Sequence, residues 1–222
     1  MQLIVAGASG YLASEVIRQA LSHPKITSVI ALARRKVEAP TGTDGSKLKS
    51  VIVKDYDFYG EDVKNELGEA GACIWTVAVT PSKSKSMDFD TVRKVCLEDT
   101  MLGLKTISEA RREGVESLRF VYVSGAAAER DQSKKPSWMP EYSLMRGETE
   151  NRILDFAKNH NISPCIVKPG LITNGGILKG AFAMVMKWTG MVGSVSIQDI
   201  AAVMLEDVVQ GINVETLENE DL

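Results

Sequence analysis

The chain has 222 residues, 44% hydrophobic and 25% charged, an ordinary mix for a globular domain that can fill a core. Its net charge of −3 excludes the strong positive field that draws nucleic acid or an anionic membrane surface. The three cysteines, Cys73, Cys96 and Cys165, are widely spaced, and with only His23 and His160 beside them they form neither a disulfide framework nor a metal-ligand pattern.

The N-terminus lacks the basic start of a signal peptide, and its apolar run is short and leads into glycines. No stretch approaches the roughly 20 apolar residues of a membrane helix. These features lead to the expectation of a reducing, cytoplasmic setting, with no membrane and no metal.

Leu3 to Ala6 is a short apolar run of the kind that makes a buried parallel strand. Gly7, Gly10 and Ala13 follow at once, and Leu12, Val16, Ile17, Ala20 and Leu21 then recur at helical spacing. The glycines therefore sit where a strand turns into a helix. Gly7 permits the tight turn, Gly10 leaves the backbone open to a pyrophosphate, and Ala13 lets the helix lie close to the strand. The unpaired amides and positive dipole end of the helix favour an anion there.

Strand and helix signals alternate along the rest of the chain. Ser28 to Ala33 reads as the second strand, Thr41 to Gly45 as a turn-rich hinge, and Val51 to Val53 as the third strand. Ala72 to Val79 is a fourth strand, followed by one long helix from about Asp88 to Glu113 that stops at Gly114. Leu118 to Val123 is a fifth strand, and a helix spans about Glu141 to Asn159. Ser163 to Lys168 is a sixth strand, ended by Pro169-Gly170. Ser196 to Val209 is the last helix, with Ser196 and Asp199 placed as a capping box, and the acidic tail from Glu215 to Leu222 reads as frayed. This order predicts an α/β fold of the Rossmann type: a doubly wound parallel sheet in three α/β/α layers, with ligands beyond the strands' carboxyl ends. It suits a single domain over residues 1–222, with a small substrate-pocket region at about 171–196.

The chain resembles an atypical short-chain dehydrogenase/reductase of the NAD(P)H-binding, NmrA-like kind. The residues that carry this are Gly7-Ala8-Ser9-Gly10-Tyr11-Leu12-Ala13, the VYVSG of the fifth strand, the segment from Tyr142 to Glu148, and Lys168-Pro169-Gly170. The resemblance implies that Gly7, Ser9, Gly10, Tyr11 and Leu12 hold the pyrophosphate of a dinucleotide. At the end of the second strand, where a carboxylate would select NAD, the chain carries Arg34, Arg35 and Lys36, and no acid before Glu38. An arginine fork suits a 2′-phosphate, so NADP(H) is the expected cofactor. Asp55 matches the position that holds the adenine amino group, with Asp57 as the rival if the register slips by two, and Tyr56 between them. Thr76 and Val77 open the segment expected to run beside the cofactor.

At the reacting end, the resemblance pairs a Tyr with a Lys four residues later on one helix face. Tyr142 fits the first role, and position 146 is Arg. Arginine keeps the charge that stabilises a phenolate and can bond ribose hydroxyls, but it cannot serve as a neutral proton relay. Ser124 is the hydroxyl expected beside the substrate carbonyl, with Gly125 as the rival match. The loop at Lys168, Pro169 and Gly170 is expected to pass along the nicotinamide. Phe182, Met184, Met186, Trp188 and Met191, within Gly175 to Val195, read equally as an apolar pocket wall and as ordinary core. Arg130 to Lys135 reads as a solvated surface turn.

Three functions follow. The first is an NADPH-dependent reductase of a small, mostly apolar carbonyl compound, with Tyr142 as proton donor. The second is a non-catalytic NADP(H)-binding redox sensor with a protein partner. The third is an isomerase or dehydratase on the same scaffold. A homodimer through the long fourth and fifth helices stays open, without an exposed apolar stripe to mark it.

Overall fold

A computed structural model describes residues 1–112, 116–174 and 193–222. Seven strands form one parallel sheet: β1 (Gln2–Ala6), β2 (Ser28–Ala33), β3 (Leu48–Ile52), β4 (Ala70–Trp75), β5 (Leu118–Val123), β6 (Ile162–Lys168) and β9 (Thr216–Glu218). Their spatial order is β3-β2-β1-β4-β5-β6-β9, the doubly wound arrangement, with its reversal between β1 and β4. A second, two-stranded parallel sheet pairs β7 (Leu171–Thr173) with β8 (Ser194–Ser196).

Apolar runs such as SVIALA bury both faces of the sheet. Leu3 and Val5 pack on one side with α1 (Tyr11–Ser22) and α7 (Ile197–Gln210), through Val16, Ile17, Ile200 and Met204. Ile4 and Ala6 point to the other side. There α2 (Glu61–Leu67), α5 (Asp99–Ala110) and α6 (Pro140–Lys158) cover Cys73, Trp75, Phe120 and Tyr122.

Several sequence expectations are corrected. β3 begins at Leu48 rather than Val51, because an edge strand tolerates the exposed Lys49 that breaks the apolar pattern. β4 ends at Trp75 rather than Val79, because the Thr76 amide and hydroxyl both bond the Ala6 carbonyl and turn the chain over the sheet edge. The single long helix is broken instead into α3 (Pro81–Ser84), α4 (Phe89–Arg93), a π-helical segment (Lys94–Glu98) and α5. The tail expected to fray forms β9 and a short 3-10 turn (Asn219–Asp221). At the start of α7 the Ser196 hydroxyl accepts the Asp199 amide, as its spacing indicates. The helix stop at Gly114 and the apolar residues Phe182, Met184, Met186, Trp188 and Met191 lie outside the described residues.

Trp75 is fully buried and donates its indole N–H to the Thr100 hydroxyl at 3.0 Å. A Cβ placed on Gly103 would lie 2.1 Å from the Trp75 ring. Gly103→Ala is therefore expected to destabilise the protein by about 1–3 kcal/mol through overpacking, read as a lower urea midpoint at unchanged m-value.

Candidate dinucleotide site

The carboxyl ends of β1, β2 and β4 meet at the glycine turn. Gly7 has a left-handed φ of 77°, and a Cβ there would stand 2.6 Å from the Thr76 hydroxyl and 3.1 Å from the Val77 amide nitrogen. A Cβ on Gly10 would meet the Gly7 carbonyl at 3.1 Å. The turn is tied down from below. The Leu32 carbonyl accepts the amides of Gly7 (3.0 Å) and Ala8 (3.1 Å) and the Tyr56 hydroxyl (2.9 Å), and that hydroxyl in turn accepts the Gly7 amide at 3.1 Å. Tyr56 is thus buried beneath the turn, as a buckle between β2, the loop after β3 and the glycines.

Helix α1 opens on Gly10, which supplies no side-chain cap, and its first turn holds no acid. The leading amides of the helix, at Tyr11, Leu12 and Ala13, thus have no side-chain cap among the described residues, and Ser9, Gly10 and Tyr11 are exposed around them. Arg34 and Arg35 follow β2 directly and are exposed. Neither has an ion-pair partner among the described residues, whereas Lys36 pairs with Glu38. Arg34 is close enough to the buckle to act on the Tyr56 phenol. Burial pushes that phenol from 10.0 up to about 12, against the opposing pull of the Gly7 amide and the Arg34 charge.

Asp55 and Asp57 both sit at the end of β3 and share one cation. Lys94 Nζ lies 3.7 Å from Asp55, 3.1 Å from Asp57 and 3.1 Å from Asp99. Asp99 is buried, which raises its pKa against the pull of Lys94. The π segment thus joins the loop after β3. Its Cys96 also reaches the loop after β4, where the Val79 amide donates to the thiol sulfur at 3.2 Å.

The residues expected at the reacting end are all engaged within the protein. Met139, with a left-handed φ of 41°, starts α6, and Ser143 fixes it through its amide to the Met139 carbonyl and its hydroxyl to the Trp138 carbonyl. Tyr142 then projects toward the loop after β4 and donates its hydroxyl to the Val79 carbonyl at 2.9 Å. Burial raises the Tyr142 pKa, and the Arg146 charge works against that rise. Arg146 is 3% exposed, bonds the Val123 carbonyl at 2.8 Å and lies 5.0 Å over the Tyr122 ring. Its Nη1 is buried and makes no hydrogen bond among the described residues. The Ser124 hydroxyl donates to buried Glu150, and nothing crowds Gly125.

Sequence reasoning missed Glu150. It is fully buried, bonds Arg130 Nε at 2.7 Å and lies 4.0 Å from Lys168 Nζ. Arg130 is thereby anchored, whereas residues 131–135 of the same loop are exposed, as expected of a solvated turn; Arg130 also bonds Glu215 and Thr216. Gly147 lets that loop lie on the helix, since a Cβ there would sit 1.8 Å from the Glu129 carbonyl. Ser143, Gly147 and Glu150 follow at i, i+4 and i+7, a polar stripe that points to a buried polar contact. Lys168 also donates to the Ala128 carbonyl, the Pro169 carbonyl accepts the Ala126 amide, and the Gly170 amide donates to Asn219.

The model of the NAD(P)H-binding family matches residues 7–210. The chain belongs to that family. Its fold is shared with solved structures that include a putative NAD-dependent epimerase/dehydratase from Bacillus halodurans and a reductase domain from Penicillium fellutanum. It is 22% identical to protein FMP52, mitochondrial, of Candida albicans, over 97% of this chain and 91% of the relative. It is 26% identical to protein FMP52, mitochondrial, of Saccharomyces cerevisiae, over 77% of this chain and 65% of the relative. A solved structure of MoeE5 in complex with UDP-glucuronic acid and NAD superposes with a TM-score of 0.70 at 15% identity, over 98% of this chain and 76% of that one. Both relatives are named as mitochondrial proteins, which overturns the expected cytoplasmic location. Buried free thiols fit any reducing compartment, so the cysteines could not separate the two. A nicotinamide cofactor fits the residues present, because α1 starts without a side-chain cap from Gly10 or an acid in its first turn, and Ser9, Gly10 and Tyr11 are exposed around its leading amides.

Tyr56 binds its proton more tightly when folded than when unfolded, so its contribution to stability is complete below pH 10 and is lost as the pH rises through about 12. A chemical-denaturation series from pH 8 to 12 is expected to show this loss, and Tyr56→Phe is expected to make it shallower by one phenol's share, because burial raises Tyr59, Tyr122 and Tyr142 in the same direction. The same variant is expected to cost roughly 1–2 kcal/mol at pH 8.

Proposed function

We propose that this protein binds NADP(H) across the β1–β4 switch point and reduces a small, mostly apolar carbonyl compound. The observation that carries the cofactor reading is the uncapped, acid-free start of α1 beside exposed Arg34 and Arg35, neither of which has an ion-pair partner among the described residues. The turn's amides would take the pyrophosphate, and an arginine fork would take the 2′-phosphate. Asp55 or Asp57 would meet the adenine edge, and Thr76 and Val77 would pass beside the ribose side. When bound, the cofactor supplies a hydride.

The chain's own part at the reacting end is a proton and a wall. Tyr142 gives the proton after exchanging its bond to the Val79 carbonyl for one to substrate, a swap of two ordinary hydrogen bonds. Arg146, one helical turn away, keeps the resulting phenolate within reach of a cation. The described strands Leu171–Thr173 and Ser194–Ser196 would stand beside the substrate, within one domain spanning the chain. The names of the two relatives favour a mitochondrial setting for this activity.

A second reading, a redox sensor without turnover, is favoured by one specific observation: Ser124, Tyr142 and Arg146 all turn polar atoms to protein groups. A sensor requires unequal affinity for NADP⁺ and NADPH, since only a difference shifts a two-state equilibrium.

Calorimetric titration with NADPH, NADP⁺ and NADH tests the proposal. NADPH is expected to bind, and Arg34→Ala is expected to weaken it by roughly 10- to 100-fold while sparing NADH. Equal loss for both nucleotides would remove the 2′-phosphate assignment. Tyr142→Phe is expected to lower carbonyl reduction by about 100-fold or more with NADPH affinity intact. Unchanged turnover would contradict the proton-donor role. Absence of turnover, together with unequal NADP⁺ and NADPH affinities, would select the sensor.

A further inference from the structure

The tail after β6 reaches back to the part of the sheet edge farthest from the arginines. β9 pairs with β6 in the register Ile166↔Thr216, Val167↔Leu217 and Lys168↔Glu218. The next residue, Asn219, therefore arrives beside the Pro169-Gly170 turn. Its side-chain oxygen accepts the Gly170 amide at 2.8 Å. The Glu218 amide donates to Asp221, and Glu218 lies 3.7 Å from Lys168 Nζ, so the segment that presents Asn219 is itself fixed. The turn has two other ties: the Pro169 carbonyl accepts the Ala126 amide at 3.0 Å, and the Leu171 amide donates to the Gly193 carbonyl at 3.0 Å. Of the three, the tie from Asn219 is the one made by a side chain.

We infer that Asn219 is a positioning residue for the half of the dinucleotide remote from the 2′-phosphate. This rests on the dinucleotide reading above. A pyrophosphate at the β1 turn with its adenosine toward β2 and β3 sends the other half across β4 and β5 toward β6. Three strand spacings separate β1 from β6, roughly 14 Å, a span an extended dinucleotide covers. The turn after β6 then flanks the nicotinamide end, and the Asn219 bond sets where its backbone stands. Asn219 touches no ligand in this account. It acts through Gly170.

The test compares two ligands. NADPH spans both halves, and adenosine 2′,5′-bisphosphate contains the 2′-phosphate half alone. Asn219→Ala is expected to weaken NADPH by about five- to tenfold, the effect of one lost hydrogen bond, and to leave the bisphosphate unchanged. Asn219→Asp keeps an acceptor oxygen and is expected to restore NADPH affinity toward wild type. Gly193→Ala provides an independent perturbation, since a Cβ there would stand 2.5 Å from the Asn219 side-chain nitrogen and must displace it. It is expected to reproduce the selective loss. Equal weakening of both ligands, or no effect on either, would overturn the inference while leaving the cofactor reading in place. Failure of wild type to bind either ligand would overturn the cofactor reading and this inference with it.

Discussion

The Leu32 carbonyl is the acceptor on which the glycine turn depends. Two backbone amides and the Tyr56 hydroxyl converge on it, and the same hydroxyl takes the Gly7 amide. One oxygen at the end of β2 thus sets the turn after β1 and the loop after β3 together. The arginines follow two residues later in the chain, so their distance from the turn is fixed by the same contact. The left-handed φ of Gly7 is kept because Thr76, bonded to the Ala6 carbonyl, closes the space a side chain would need.

Across the sheet edge the chain invests buried polar groups in holding loops. Glu150 joins the Ser124 strand end to the loop at Arg130, and Arg130 reaches on to the segment that forms β9. Removing one partner from such a buried pair typically costs about 3–5 kcal/mol, so this cluster is a mechanical element of the site. Arg146 differs. It is buried and, among the described residues, is held by a carbonyl and an aromatic face, with one nitrogen left without a hydrogen bond. The π segment between α4 and α5 ties Asp55 and Asp57 through Lys94 and Val79 through Cys96, so the loops after β3 and β4 share a support.

Much of this was legible in the chain. Period and apolar runs located six strands and the main helices, because a parallel sheet buried on both faces writes continuous hydrophobic segments into the sequence. The glycine spacing marked the turn. What stayed hidden follows from tertiary contacts. Tyr56 lay among the expected cofactor residues, and only the fold shows its hydroxyl turned under the turn. Ser124 was the hydroxyl expected beside the substrate, but a carboxylate 26 residues further on accepts its hydrogen bond. β9 is a three-residue strand of weak pattern that forms because β6 offers an open edge, and Asn219 gains its role from that pairing alone.

The most direct measurement is a crystal structure of the protein with NADPH. The pyrophosphate is expected within hydrogen-bond distance of the Tyr11 and Leu12 amides, with the 2′-phosphate on the Arg34 guanidinium and Tyr56 unmoved beneath Gly7. A nucleotide bound elsewhere, or one whose 2′-phosphate points into solvent away from Arg34 and Arg35, would contradict it.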